Sequence, residues 1–310
     1  MSSSPLEEET KSITERSQRI ADQFYSLDEG ENLKELTDSI LESSETKASL
    51  KELIRATGRR FFLFTYPSDG FLVKGTLSFL PDSEENPLLI FLRGGNKVFG
   101  LMHPASDFSC LKNYTVIATT YRDGVSEGTD EFGGADVNDV QHMMEYFPIL
   151  QEKIGTAFKP KKTYILGRSR GGMEMFLALN KSVSLQAQVT KAVSLSGLLD
   201  LQECILSRED MKKMFSEEFG LVPGQEEEWM ACRNPLTNVF NLRNDLPVLI
   251  FQGTEDLRAS LIGGQRMVSI LESRGNPVTY LEVPGGDHCL TNQPDLMDLI
   301  ANWLEDVQVD

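Results

Sequence analysis

Six short apolar runs punctuate the second half of this chain and the stretch before it. They are "NPLLIFLRGGN", "YTVIATTYRDG", "KKTYILGRSRGG", "KAVSLSGLLD", "DLPVLIFQGTED" and "VTYLEVPGGDH". The first three are too continuous for half-exposed strands and read as strands covered on both faces, the habit of parallel sheets. Between them lie segments with helical period: "ADVNDVQHMMEYFPIL", with Asp136 as N-cap and Asp139 in the first turn, then "GGMEMFLALN", and finally "DLMDLIANWLEDV". Strands that alternate with helices make βαβ units, so a mostly parallel central sheet flanked by helices is expected. Ahead of them, "RRFFLFTYPSDGFLVKGTLSFLP" has a Pro-Ser-Asp-Gly turn and reads as an antiparallel pair.

Residues 1–57 have a different texture, poor in Gly and Pro. Ile13, Ile20 and Phe24 recur at helical spacing, as do Leu33, Leu36 and Ile40, and then Leu50, Leu53 and Ile54. Gly30 and the Ser43-Ser44 pair divide this helical N-terminal extension into two or three helices. The rest, 58–310, is expected to be one α/β domain with a helical insertion at about 201–242. Extension and insertion together would roof whatever site the sheet carries, with Met211, Met214, Phe215 and Trp229 as apolar walls or core.

The chain of 310 residues carries a formal net charge of −17. Such a surface repels nucleic acid and anionic membranes, so neither is expected as a partner. Cys110, Cys204, Cys232 and Cys289 are scattered without C-x-x-C spacing, and there are three histidines in all. A zinc site is therefore not expected, and four free, buried thiols in a reducing cytoplasm is the simplest reading. The N-terminus lacks an apolar signal core, and no run reaches the ~18 residues of a membrane span.

In a sheet of this kind, ligands sit beyond the carboxyl ends of the strands. Four strand ends deliver polar residues there. Gly167-Arg168-Ser169-Arg170-Gly171 fits G-x-S-x-G, a sharp strand-to-helix turn that lifts a serine hydroxyl clear of the sheet. Asp256 follows the fifth run and His288 the sixth. The chain order of serine, acid and histidine is that of the α/β-hydrolase fold. A serine hydroxyl is a poor nucleophile at pH 7 and needs a base, which His288 can be, held by a carboxylate. Asp256 has rivals in Glu255 and Asp200, and His288 in His103 and His142. The oxyanion donors are expected from the N–H of Arg170 and from the Arg93-Gly94-Gly95-Asn96 loop, chiefly Gly94 and Gly95. Arg93, Asn96, Arg168 and Trp229 are candidates for the substrate pocket. The Arg170 guanidinium is expected to pair with Asp130, Glu131 or Asp136.

The ordered segments "YPSDGFLVKGTLSFLP", "IFLRGGN", "YRDGVSEGTDEFGGADVNDV", "GRSRGGM", "GTEDLRAS" and "GGDH" resemble the catalytic domain of the prolyl oligopeptidase family, in particular short bacterial members without a β-propeller. The resemblance covers residues 60 to 305. It implies an α/β-hydrolase fold with Ser169 as nucleophile, Asp256 as acid and His288 as base. The sequence departs from the family at Gln252, where a histidine is usual, and at Arg93, where the larger peptidases have a tyrosine. Gln252 is expected to support the end of its strand. A serine hydrolase acting on a short peptide or small ester through an acyl-enzyme is thus expected, without metal or organic cofactor. A carboxylesterase, an acyltransferase and a non-catalytic binding protein on the same fold are the alternatives, and homo-oligomerisation is open.

Overall fold

The computed structural model describes residues 5–105 and 113–307. Its strands are β1 (Leu33–Glu35), β2 (Arg60–Ser68), β3 (Phe71–Phe79), β4 (Leu88–Leu92), β5 (Thr115–Thr119), β6 (Thr163–Arg168), β7 (Lys191–Leu195), β8 (Val248–Gly253) and β9 (Val278–Val283). Its helices are α1 (Pro5–Phe24), α2 (Thr37–Glu42), α3 (Ala48–Thr57), α4 (Asn138–Ile154), α5 (Arg170–Lys181), α6 (Val183–Gln188), α7 (Leu201–Ser207), α8 (Glu209–Glu218), α9 (Glu226–Met230), α10 (Leu261–Ser273) and α11 (Leu296–Leu304). The strands form one sheet in the order β1-β2-β3-β5-β4-β6-β7-β8-β9. β1, β2, β3 and β5 pair antiparallel, and from β5 to β9 every pairing is parallel. This is an α/β-hydrolase fold.

The continuous apolar runs are explained by which face each residue serves. In β4, Leu88, Ile90 and Leu92 join the core under α4 and α5, whereas Leu89 and Phe91 join the opposite core, which α11 closes with Leu296, Ile300 and Leu304. Strand side chains alternate, so two covered faces demand an unbroken run. Each such side chain contributes about 1.5–3 kcal/mol on full burial. A third cluster joins Ile20, Phe24, Leu36 and Ile40 of the extension to Phe61 and Leu63 of β2.

The extension holds a strand as well as helices. Leu33 and Glu35 pair with Phe64 and Phe62 of β2, and the Leu36 N–H carries the ladder on to Phe61 O. The helical spacing of Leu33, Leu36 and Ile40 therefore misleads at its first position. The backbone at the edge of β2 needs partners, and that requirement overrides local propensity. Asp136 does not cap α4 either. It sits in the 3₁₀ turn before the helix and accepts from the N–H groups of Gly133 and Gly134. Of the cysteines, Cys204 and Cys289 are buried free thiols and Cys232 is an exposed one, contrary to the expectation that all are buried. Cys110 lies outside the described residues.

Candidate active site

The register of the central strands sets out the site. Leu92 of β4 is level with Gly167 of β6, and Arg168 with Leu195 of β7. The chain thus leaves β4 and β6 side by side. At the end of β6 it turns directly into α5 through Ser169, which has φ 55° and ψ −123°. A non-glycine residue in that region is strained, and the surroundings must hold it. They do so with hydrogen bonds from Ser169 N to Leu195 O (3.0 Å) and from Gly172 N and Leu198 N to Ser169 O (2.9 and 3.0 Å). The turn packs so closely on β4 that a Cβ at Gly171 would lie 2.0 Å from Leu92 O. A larger residue would push the elbow off the sheet.

Three strand ends then converge on one line of hydrogen bonds. His288 Nε2 lies 2.9 Å from Ser169 Oγ, and His288 Nδ1 lies 2.9 Å from each oxygen of Asp256. Asp256 Oδ1 also accepts from the backbone N–H groups of Arg258 (2.8 Å) and Ala259 (2.9 Å). Burial works against the carboxylate, but the imidazole and those two amides outweigh it and keep its pKa below the usual range. Burial likewise opposes charge on His288, yet the neighbouring Cys289 sulfur and the Asp256 carboxylate together raise its pKa above the ordinary value. The loop carrying His288 is pinned by Cys289 N, which donates to Ser196 Oγ beside the elbow (3.0 Å). Gln252 is buried at the end of β8 and donates to Ala259 O and Ser260 O, so it holds the loop of the acid.

Across from the histidine, a Cβ at Gly94 would lie 2.8 Å from Ser169 Cβ. Only glycine allows the loop after β4 to approach Ser169 so closely. Arg170 follows Ser169 and is fully buried. Its guanidinium donates to both oxygens of Asp130 (2.7 Å each), to Asp136 Oδ2 (2.6 Å), to Glu174 Oε1 (2.9 Å) and to Gly95 O (3.2 Å). Its positive end also lies 4.4 Å from the centre of the Phe132 ring. Burial and the Asp136 charge push the Glu174 carboxyl well above the usual range.

Two helices span the gap between the loop of the acid and the loop after β4. On α1, Glu9 and Thr10 accept from the Arg258 guanidinium (3.0 Å each), and Ser17 Oγ accepts from Gly100 N (3.1 Å). At the head of α8, Arg208 donates to Leu257 O and Arg258 O. Further along, Glu218 pairs with Lys97 at 2.9 Å. Each helix touches both loops.

A sequence profile of the prolyl oligopeptidase family matches residues 123–308, the segment that carries Ser169, Asp256 and His288. The chain belongs to the prolyl oligopeptidase family. It is, with that family, a hydrolase of the serine-peptidase type. An uncharacterized peptidase of Bacillus subtilis, YtmA, is 26% identical over 221 residues, covering 71% of this chain and 82% of its own. An acylaminoacyl peptidase of Pyrococcus horikoshii superposes with a TM-score of 0.63 at 20% identity, over 78% of this chain and 40% of that one. This chain thus spans about two fifths of that larger peptidase. An α/β-hydrolase of Vibrio vulnificus, at TM-score 0.60 and 16% identity, matches 99% of this chain and 95% of its own.

Two of the side chains read as pocket candidates are turned into the protein. Arg93 is 3% exposed and points into the protein, where backbone carbonyls take its guanidinium. Trp229 is buried, donates to Phe219 O and packs on Phe215 in the aromatic core. A buried indole needs a partner for its N–H, and Phe219, just after α8, supplies one inside the core. Asn96 is half-buried and its amide contacts Met214 Sδ at 3.9 Å, while Arg168 is half-buried at the end of β6. The rivals are occupied too. Asp200 caps α7 and pairs with Arg266, His103 is buried against Thr46, and His142 contacts Ser68. The links from Glu9 to Arg258 and from Ser17 to Gly100 gave no signal in the sequence beyond the amphipathic stripe of α1.

Proposed function

We propose that this protein cleaves short peptides or small amides by acyl-enzyme chemistry on Ser169. The observation that carries this reading is the unbroken line of hydrogen bonds from Ser169 Oγ through His288 to Asp256. In this mechanism His288 Nε2 takes the proton as Ser169 Oγ attacks the carbonyl carbon. Asp256 holds the imidazole by Nδ1 and stabilises the imidazolium that forms. The oxyanion is received by the N–H of Arg170, the first residue of α5 and so without an intrahelical acceptor, and by an amide of the Gly94–Gly95 loop. Collapse expels the amine, which leaves with the proton from His288. Water then enters, is deprotonated by the same nitrogen and releases the acid.

We read α1 and α8, which both join the two loops beside Ser169, as restricting access to a chain end or a small molecule in preference to a folded protein. Relatives named for acylaminoacyl peptidase activity and for puromycin hydrolysis fit that range.

The test is intact mass after treatment with a fluorophosphonate, on wild type and Ser169→Ala. A single adduct on wild type and none on the variant is expected. Panels of acyl-peptides, free-amine peptides and p-nitrophenyl esters then rank the substrates. Absence of an adduct on folded wild type would refute the reading and favour a binding protein. Turnover of esters with none of peptides would make it an esterase.

A further inference from the structure

Two buried arginines hold consecutive peptide units of the loop after β4. Arg93 uses all five of its N–H groups on backbone carbonyls: Nε on Thr120 O (3.1 Å), Nη1 on Gly94 O and Phe99 O (3.0 Å each), and Nη2 on Lys97 O (2.6 Å) and Thr120 O (2.8 Å). Arg170, with its other four N–H groups on carboxylates, gives the fifth to Gly95 O (3.2 Å). Tyr121 lies between them, 5.5 Å from the Arg93 guanidinium and 5.1 Å from that of Arg170, and its hydroxyl donates to Arg93 O.

A trans peptide unit sets its C=O and N–H on opposite sides, and the described residues contain no cis bond. When Arg93 draws Gly94 O into the protein, the Gly95 N–H is turned the other way. Gly94 itself faces Ser169, with its Cβ direction aimed at the serine side chain. We propose that Arg93 is a positioning residue for catalysis: by gathering the carbonyls of Gly94, Lys97, Phe99 and Thr120, it presents the Gly95 N–H as the second oxyanion donor, and its cation polarises that amide. A hydrogen bond from a charged donor to a carbonyl strengthens the N–H of the same peptide group. Burial, followed by the like charge of Arg170, lowers the Arg93 guanidinium to about 10, which leaves it charged at neutral pH. Gly95 permits the arrangement, because a Cβ there would lie 2.1 Å from Phe99 O, one of the carbonyls gathered.

This inference rests on Ser169 being the nucleophile, so the experiment separates the two. Wild type, Arg93→Lys and Arg93→Met are compared on p-nitrophenyl acetate and its thiono counterpart, whose sulfur is a poor acceptor for oxyanion donors. Lysine keeps the charge but has three donors for four carbonyls, so kcat should fall about tenfold with KM within roughly twofold; methionine should lose about 10²–10³-fold. The oxo-to-thiono ratio of kcat/KM should shrink by the same factor, a quantity that the fraction of correctly folded enzyme does not affect. If Arg93→Met does not fold, Arg93→Lys decides alone. An unchanged ratio in a folded variant would overturn the role of Arg93 while leaving Ser169 as nucleophile. Wild type that neither reacts with fluorophosphonate nor hydrolyses the ester would overturn both.

Discussion

Arg170 and Asp130 meet in a two-pronged ion pair, both hydrogen bonds 2.7 Å long and both side chains sealed from solvent. Asp136 on the same guanidinium adds a second carboxylate, and the Arg93 guanidinium is a second positive charge close by, on the other side of the Tyr121 ring. Buried charges persist only when matched in this way. The arginine after Ser169 is thus a structural cation, its guanidinium spent inside the protein.

Arg170→Lys should therefore cost stability more than substrate affinity. Lysine has three donors for five acceptors, and each lost bond between charged groups costs about 1.5–3 kcal/mol. Denaturant unfolding should show a drop of at least that size, with KM changed less than roughly twofold. An unchanged unfolding midpoint with a large rise in KM would contradict the assignment.

The proposed base should declare itself in the pH profile. Catalysis needs His288 neutral, so activity rises as pH increases through its pKa. That pKa is raised in the folded protein, so the acid limb of kcat/KM should lie above the ordinary ~6.5. The same shift favours the folded state at pH below the ordinary histidine value, and this contribution fades as pH rises through the folded pKa. In Asp256→Asn the limb should move down toward ~6.5 and kcat should fall by about 10⁴. A limb below ~6 in wild type would argue against the pairing.

Gly94→Ala tests the approach of the loop to the nucleophile. Its methyl would lie 2.8 Å from Ser169 Cβ, so loop or serine must shift. A displacement of this kind costs on the order of 10² in kcat/KM. Calorimetry should show a fold little changed, because the strain falls on a loop and not on the core. Wild-type rates in the variant would mean that the loop has slack.

The N-terminal extension should be integral to the fold. Phe24 is 1% exposed and meets His103 edge to face at 4.6 Å. Phe24→Ala is expected to destabilise the protein by about 3–5 kcal/mol. Glu9→Gln, which breaks an exposed ion pair, should cost less than about 1 kcal/mol. Thermal melts of both variants compare the two directly. Equal, small effects would mean that α1 is only loosely attached.

The sheet was legible in the sequence because burial on both faces leaves unbroken apolar runs that nothing else explains. Ser169, Asp256 and His288 were legible because each stands at a strand end, where the fold presents polar side chains. Arg93 shows why the rest was not legible: a charged residue at a strand end looks like a ligand group, whereas in the fold backbone carbonyls curl around it. Trp229 stood between pocket wall and core, since an indole can serve either, and it lies in the core. The short strand β1 escaped notice because three residues carry no period, and its partner lies about thirty residues downstream.

The contact between Glu9 and Arg258 joins positions 249 residues apart, so the arm is made well before the loop of Asp256 that it meets. During synthesis α1 has no such loop to dock on until β8 and the residues after it have emerged. Closing so long a loop adds little entropy beyond that of a shorter one, but it sets a slow, non-local step. The docking of α1 beside Asp256 therefore waits on the completion of β8, however early α1 itself forms.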